Sequence, residues 1–279
     1  MNLLNFEPVI RFSAFAGVLI IMAILEMASP MRRLKASRYP RWLGNLGLVA
    51  LNSIALRLLL PLQAVGAALL AGDRGWGLFN ILDWPAWVEG LITIVLLDLA
   101  VYLQHVVFHA VPVLWRLHMV HHADPDIDVT TGLRFHTVEI FLSMGLKMVV
   151  VGLLGPPAWA IIVFEVVLNA TAVFNHSNIR MPRPLDRILR LIIVTPDMHR
   201  VHHSVLPMET NSNFGFNLPW WDHCFGTYTA QPFMGHVRMT IGLAEFQDQR
   251  FVRLHWMMLL PFVRQKGNTS VLRIRKRQK

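Results

Sequence analysis

Histidines are concentrated in one stretch of this 279-residue chain, and their spacing is regular. Ten of the 13 histidines lie between residues 105 and 203. His105 and His109 form an H-x-x-x-H pair, and an H-x-x-H-H box occurs at 118–122 and again at 199–203. Residues i, i+3 and i+4 share one face of a helix, so each box is expected to present its imidazoles together. His136 and His176 lie singly between the boxes.

Imidazoles gathered on one helix face predict a metal site. Uncharged imidazoles attract one another weakly and lose hydration when buried, so a metal is the usual physical reason to gather them. One zinc ion takes about four ligands, and eight or more imidazoles therefore predict two metal ions. Nitrogen ligands without thiolate suit iron, zinc, copper or nickel. Isolated histidines such as His223, His236 and His255 are expected to be ordinary hydrogen-bonded side chains.

Four long apolar runs must position these histidines. They cover residues 9–28, 43–71, 88–107 and 138–174. About 20 apolar residues cross the roughly 30 Å of membrane hydrocarbon as a helix, so each run is long enough. The fourth run is interrupted by Gly155-Pro156-Pro157. A Pro-Pro pair cannot continue a helix, and we therefore expect a helical hairpin that turns there.

The connection between the first two runs predicts the orientation in the membrane. Basic residues favour the cytoplasmic side, which places the N-terminus outside. Both histidine-rich segments, and the residues from 236 to 279 with their basic end at 273–279, are then expected to be cytoplasmic. The basic residues of the connection are Arg32, Arg33, Lys35, Arg38 and Arg41.

Composition narrows the class of protein. With 54% hydrophobic and 15% charged residues, the chain is too apolar for a water-soluble domain. The net charge of +9 gathers beside the apolar runs, which indicates membrane orientation and not nucleic-acid binding. The single cysteine, Cys224, excludes an internal disulfide framework, a four-thiolate zinc site and an iron–sulfur cluster. We predict an all-α integral membrane fold with about four transmembrane runs and a cytoplasmic, histidine-rich helical cap.

Longer motifs surround the boxes. D-x-x-x-Y-x-x-H begins at Asp98, W-R-L-H-M-V-H-H at Trp115, L-R-F-H-x-x-E at Leu133, N-H-S-N-I at Asn175, and N-F-G-F followed by W-D-x-x-F-G-T-Y at Asn213. In this order these motifs resemble the fatty acid hydroxylase and sterol desaturase superfamily of membrane proteins. The resemblance covers residues 91–228, half of the chain. Acyl-CoA desaturases share the boxes but lack the last motif.

The resemblance implies a non-haem di-iron oxygenase that uses dioxygen to attack a lipid C–H bond. Hydroxylation is the expected outcome, and desaturation is the alternative. The resemblance also implies that the box histidines bind two irons, that His176 is a further ligand, and that His136 is a ligand or the neighbour of one. The predicted metal ligands are His105, His109, His118, His121, His122, His136, His176, His199, His202 and His203.

Three carboxylates are expected to support the ligands. Asp98 lies seven residues before His105, hence on the same helix face, where it is expected to accept an N–H from a ligand imidazole. A helix-packing contact is the alternative for Asp98. Asp197 and Asp222 lie beside boxes and are expected to act in the same way. Asp124, Asp126, Asp128 and Glu139 also lie beside boxes, as acceptors or as solvated charges.

Other classes of protein fit less well. A histidine-rich metal transporter would carry ligands at the bilayer midplane on several spans, whereas here they follow the end of one run. A zinc peptidase needs H-E-x-x-H, but Val106 follows His105. The resemblance implies a lipid and dioxygen as partners. Because the chain has no G-x-G-x-x-G motif after a strand, a separate electron donor is also expected, either a reductase or a cytochrome b-type protein. The expected divisions of the chain are 1–87 for the N-terminal spans, 88–235 for the histidine-box region and 236–279 for the basic tail.

Overall fold

Helices make up the regular secondary structure of the computed structural model, which describes residues 6–82 and 84–264. Within those ranges there is no β-strand, only two isolated bridges that pair Pro30 with Ile179 and Ser204 with Ile241. The prediction of an all-α fold is confirmed. The α-helices are α1 (Glu7–Ala28), α2 (Arg38–Leu59), α3 (Gln63–Arg74), α4 (Phe79–Leu82), α5 (Ala86–Ala110), α6 (Pro112–His122), α7 (Thr137–Leu154), α8 (Ala158–Asn175), α9 (Arg183–Leu189), α10 (Pro196–His202), α11 (Pro207–Thr210), α12 (Trp220–Cys224), α13 (Gly235–Arg238) and α14 (Leu254–Leu259). Short 3₁₀ turns cover Thr131–Leu133, Ala244–Phe246, Gln249–Val252 and Leu260–Phe262.

Five helical segments of the described chain are long and apolar enough to cross a membrane. They are α1, the stretch from Arg38 to Leu82, α5, α7 and α8. Helix α7 ends at Gly155, which adopts a left-handed φ of 62°, and α8 begins after Pro157. The fourth apolar run is therefore the predicted hairpin, and the four runs become five candidate membrane-spanning segments, as in a multi-pass membrane protein.

The second apolar run differs from the continuous helix that its composition suggests. Helix α2 ends at Leu59, and α3 starts at Gln63. Pro61 lies in the break: it has no N–H to continue the helical hydrogen bonds, and it pushes Leu60 out of the helical conformation, to φ −138°. Helix α3 then packs its alanines Ala64, Ala67 and Ala68 in the core that α5, α7 and α8 share.

The helix directions bring all the histidine boxes to one end of the bundle. Helices α1, α5 and α8 end there, and α2 and α7 begin there. Residues 111–136 and 176–264 form a cap over this end, and the two histidine-rich segments meet inside it. The structure thus agrees with the expectation that both segments lie on one side of the membrane.

The first turns of α2 are built into the cap. Leu48 packs with Trp115, Phe251 and Met257 in one hydrophobic cluster. Gly44 permits this contact, because a Cβ at that position would lie 2.0 Å from the carbonyl oxygen of Val252. Residues 243–260 of the predicted basic tail thus contribute to the core of the cap, while its end at 273–279 lies outside the described residues.

Candidate metal centre

Nine buried histidines converge in the cap as two groups of possible metal ligands. One ligand atom from each residue of a group lies within 4.8 Å of all the others in that group. The groups adjoin, since the rings of His122 and His203, one from each, are stacked with their centroids 4.7 Å apart. The first histidine group is His105, His109, His118, His122 and His202, and the second histidine group is His121, His176, His199 and His203.

Each H-x-x-H-H box divides its histidines between the two groups in the same way. The first and last histidines of a box join one group, and the middle histidine joins the other; the middle residue is His121 in one box and His202 in the other. At 3.6 residues per turn, positions i and i+4 differ by about 40° around the helix, whereas i+3 and i+4 differ by about 100°. One short helix can therefore serve both groups.

Prolines start the short helices that carry the boxes. Pro112 begins α6 directly after α5, and the extended Val111 between them turns the chain into the cap. Pro196 begins α10, where the side chain of Thr195 accepts a hydrogen bond from the Met198 N–H. Proline suits the first turn of a helix because its missing N–H would have no helical partner there. The local sequence therefore fixes where each box begins.

Backbone carbonyls orient three of the nine rings. A carbonyl oxygen can only accept a hydrogen bond, so the Nδ1 that faces it carries the proton and the Nε2 of that ring keeps a bare lone pair. The Nδ1–oxygen distances are 2.8 Å for His105 to Phe214, 2.7 Å for His176 to Ala172 and 2.7 Å for His202 to Ser212. Gly132 packs directly against the ring of His176. A Cβ at position 132 would lie 2.9 Å from the Nδ1 of His176, so a larger residue would crowd this ring.

The Nε2 atoms of each histidine group face one another. In the first histidine group, the Nε2 atoms of His105, His118 and His202 are buried and have no hydrogen-bond partner among the described residues. In the second group, the Nε2 of His176 lies 2.9 Å from that of His199 and 3.1 Å from that of His121. Imidazole nitrogens without a hydrogen-bond partner are costly to bury, and a cation that accepts the converging lone pairs removes that cost.

Burial keeps these imidazoles in the form that binds metals. It lowers the pKa of His118 to about 3. Burial is also the largest cause that lowers the pKa of His176 to about 3, against the hydrogen bond to Ala172. In His199 and His203, burial and then the neighbouring imidazoles hold the pKa well below its ordinary value. Neutral rings need not lose a proton before they bind a metal, so the donor set fits two ions held by imidazole.

Glu139 makes the one direct contact between a carboxylate and a ring of the two groups in the part of the chain that the structure describes. Its Oε1 lies 2.6 Å from the Nδ1 of His118, and both side chains are buried. The sequence placed Glu139 beside a box, in the L-R-F-H-x-x-E motif, without singling it out. Asn211 was missed entirely: its Oδ1 lies 3.2 Å from the Nδ1 of His109. A lone asparagine in a polar segment carries no signal that would have identified it.

Asp98 and Asp222 act on the loop over the first histidine group instead of on a ring. Asp98 accepts hydrogen bonds from the backbone N–H groups of Asn217 and Leu218 and from the indole of Trp221. Asp222 accepts from the backbone N–H groups of Phe214 and Gly215, each at 2.8 Å. The contact expected between Asp98 and an imidazole is absent from its hydrogen bonds. Both carboxylates instead fix the backbone whose Phe214 carbonyl orients His105.

Two further predicted site residues also lie outside both groups. Asp197 pairs with Arg200 at 2.5 Å, and its other oxygen lies 3.7 Å from His236. His136 caps α7, where its Nδ1 accepts a hydrogen bond from the Val138 N–H at 3.2 Å. His136 comes three residues before Glu139, and so it stands beside the carboxylate that orients His118.

We expect Glu139→Gln to weaken metal binding by about 10- to 100-fold, the usual range when the partner of a ligand imidazole is altered. The amide keeps the shape of the side chain but is a weaker acceptor for the Nδ1–H of His118 than a carboxylate. Chelator competition on the purified protein measures the affinity. Glu89→Gln, the same change at the far end of α5, should bind metal as the wild type does. Equal affinities in all three proteins would mean that Glu139 only packs against the ring.

Known proteins with related sequences share this region of the chain. Residues 90–227 match the model of the fatty acid hydroxylase family. The ornithine lipid hydroxylase OlsE of Rhizobium tropici is 32% identical over 151 residues, which are 54% of this chain and 44% of that protein. The alkylglycerol monooxygenase of Homo sapiens is 28% identical over 166 residues, 57% of this chain and 34% of that protein, and the Danio rerio protein of the same name is 30% identical over 160 residues, 56% and 34%.

These matches cover the metal centre but not the whole of the relatives. The chain spans less than half the length of the curated relatives it matches. No solved structure matches it. All nine converging histidines, from His105 to His203, fall within the segment that the family model matches. The motifs, the histidine groups and these relatives agree, and the chain belongs to the fatty acid hydroxylase superfamily.

Proposed function

We propose that this protein is a membrane-bound di-iron oxygenase that hydroxylates a C–H bond of a lipid with dioxygen and external electrons. The observation that carries the proposal is the convergence of nine buried imidazoles, with bare or mutually facing Nε2 atoms, in two adjoining groups. Each group would hold one iron. The iron pair would supply what no side chain can, the activation of dioxygen and the cleavage of an unactivated C–H bond.

The chain itself holds the ligands still and places them at the membrane boundary. Carbonyls of the loop at 211–218 and of α8 fix three rings, and Glu139 fixes a fourth. The groups lie at the end of α5, in its last two turns, and just beyond the end of α8, so the apolar body of a lipid can stay in the bilayer while its reacting carbon reaches the cap. This placement also argues against a transporter, whose ligands would lie at the midplane. We assign the ligand role to the nine converging histidines and give His136 a place beside them.

The names of the related proteins favour hydroxylation over desaturation. The relatives are named a hydroxylase and monooxygenases, and their named substrates are an ornithine lipid and alkylglycerols. Each of those names describes a lipid with a polar head. We therefore propose a polar lipid as the substrate of this chain, with a desaturase of the same superfamily as the alternative.

Oxygen-18 decides between the two reactions. Hydroxylation consumes two electrons and two protons, leaves one oxygen atom in the product and releases the other as water. The purified protein with iron, a reducing donor and an ornithine lipid or an alkylglycerol should therefore give a product that gains one labelled oxygen from ¹⁸O₂. Unlabelled dioxygen in H₂¹⁸O is the control and should give no label. Loss of two hydrogens would indicate desaturation, and turnover under argon would rule out the whole class.

The electrons must reach the iron pair from elsewhere. We propose a separate donor, a reductase or a cytochrome b-type protein, because imidazole side chains cannot supply the two electrons that each hydroxylation consumes. The test is to reduce the purified iron protein with such a donor and to follow the spectroscopic signal of the reduced iron. This signal should disappear when dioxygen is added.

We propose that the cap faces the cytoplasm, because the basic connection between α1 and α2 lies at its edge. Single cysteines in a Cys224→Ser background test the orientation, since the only native cysteine is exposed. A cysteine in place of Gln249, exposed on the cap, should react with an impermeant reagent only after the cells are opened. One in place of Asp73, exposed at the opposite end, should react in intact cells. The reverse pattern would place the cap outside.

A further inference from the structure

The connection between α1 and α2 encloses a basic cavity that the metal centre does not use. The cavity is about 380 Å³ and open on one side. Half of the residues that line it are arginines, and none of the described lining residues is acidic. The lining residues are Pro30, Arg32, Arg33, Leu34, Ala36 and Arg38.

The arginine donors in this cavity are incompletely used. Arg32 is only 5% exposed, and its Nη1 donates to the carbonyl oxygen of Met239 at 2.8 Å. The Nε atoms of Arg32 and Arg38 are buried and find no hydrogen-bond partner in the described part of the chain. A buried cationic group with an unused donor is costly. An anion in the cavity would supply the missing acceptor and the opposite charge.

The carboxylates nearby form no ion pair with the arginines of the cavity among the described residues, although Glu26 and Asp126 each keep one buried oxygen without a hydrogen-bond partner. One oxygen of Asp126 accepts hydrogen bonds from the backbone N–H groups of Lys35 at 2.6 Å and Ala36 at 2.8 Å. Asp124 and Asp128 pair with Arg41, one turn beyond Arg38 on α2. Arg33 and Arg38 thus stand on the cavity wall without a paired carboxylate among the ion pairs of the described residues.

The wall of the cavity is held in place before any ligand binds. Met31 donates its N–H to the carbonyl of Asn178 at 2.7 Å, and Arg180 donates to the carbonyl of Ser29 at 2.8 Å. Helix α2 starts at Arg38, and its N-cap makes no side-chain hydrogen bond. The first N–H groups of this 22-residue helix therefore add positive potential at the cavity.

The depth of the cavity indicates the source of the anion. Pro30 follows the end of α1 by two residues, so the cavity lies where a spanning helix leaves the hydrocarbon. Tyr39, beside Arg38, is 78% exposed, as is common for aromatic side chains at the level of lipid headgroups. We propose that this cavity binds the phosphate of an anionic membrane phospholipid as a site separate from the histidine groups. Basic pockets beside membrane helices suit such headgroups.

Lipid retention by the full-length protein tests this site without reference to catalysis. Protein purified in detergent is titrated with short-chain phosphatidylglycerol or phosphatidylcholine, and native mass spectrometry measures the bound lipid. We expect phosphatidylglycerol to bind more tightly than phosphatidylcholine. Arg33→Gln/Arg38→Gln should weaken phosphatidylglycerol binding by about 25-fold, since each arginine near a membrane surface contributes about fivefold. Arg33→Gln alone, a change of an exposed side chain, should weaken it by about fivefold.

The control removes the same charge elsewhere. Arg253→Gln/Arg264→Gln alters two exposed arginines of the cap and should retain phosphatidylglycerol as the wild type does. Equal retention in the cavity variants and in this control would overturn the site. Inorganic phosphate that binds as tightly as the lipid would overturn the lipid assignment. If the cavity variants bound lipid as the wild type does but were reduced more slowly by an acidic donor protein, the cavity would bind a protein partner, and the proposal would be wrong.

Discussion

Replacing His121 or His202 by alanine is expected to reduce turnover to undetectable levels and to lower the metal content of the purified protein. His121 belongs to the second histidine group and His202 to the first, so the two variants test the groups separately. The remaining rings cannot move into the vacated position, because each is held by its own helix and by buried neighbours. The Nδ1 of His176, for example, is fixed on the Ala172 carbonyl.

His255→Ala is the matched control, because His255 is exposed on α14 and lies outside both histidine groups. It should keep the activity and the metal content of the wild type. Metal analysis and turnover are measured on the same preparations, and circular dichroism confirms that all three variants fold. If the three variants behave alike, the assignment of the ligands is wrong. Loss of turnover with full metal content would mean that the ring acts on the substrate and not as a ligand.

Local spacing predicted eight of the nine converging histidines, and the resemblance to the family added His176. The i, i+3 and i+4 positions follow from helix geometry, and nine of the ten histidines proposed from the sequence lie in the two groups. The division of each box between the groups was not predicted, since it depends on how α6 and α10 face each other. His136, which the resemblance made a ligand or the neighbour of one, lies outside both groups, because its position at the start of α7 leads its Nδ1 to the backbone N–H of Val138.

The supporting contacts were less accessible to sequence reasoning. Three of the ring partners are carbonyls of Phe214, Ser212 and Ala172, and every residue has a carbonyl, so no residue type signals the contact. Asp98 was recognised as a buried carboxylate on the ligand face, but its partners come from about 120 positions further along the chain. Only the packing of the loop at 211–222 against α5 brings them together.

Arg41→Leu is expected to cause the largest loss of stability outside the metal centre. Arg41 has no exposed surface, and its guanidinium contacts Asp124 at 2.7 Å and Asp128 at 2.5 Å, both fully buried. Removal of one partner of a buried ion pair leaves an uncompensated charge and costs about 3–5 kcal/mol. Thermal unfolding of the detergent-solubilised protein should show this as a large fall in Tm. Arg253→Leu, at an exposed position of the cap, should leave Tm close to that of the wild type.

The pH dependence of the stability lost in Arg41→Leu shows whether Arg41 stabilises the fold by its charge or by its packing. Burial raises the pKa of Asp124, but the Arg41 guanidinium outweighs it and holds the pKa below its ordinary value. In the wild type this pair therefore stabilises the fold above the unfolded-state pKa, and that stability is lost as the pH falls. Without Arg41 the folded-state pKa of Asp124 rises, so the variant is weakest at neutral pH and its deficit shrinks on acidification. Arg41→Leu/Asp124→Asn should recover part of the loss, because one of the two carboxylates left without a partner is then neutral. A deficit that is equal at every pH would indicate that Arg41 stabilises the cap by packing alone.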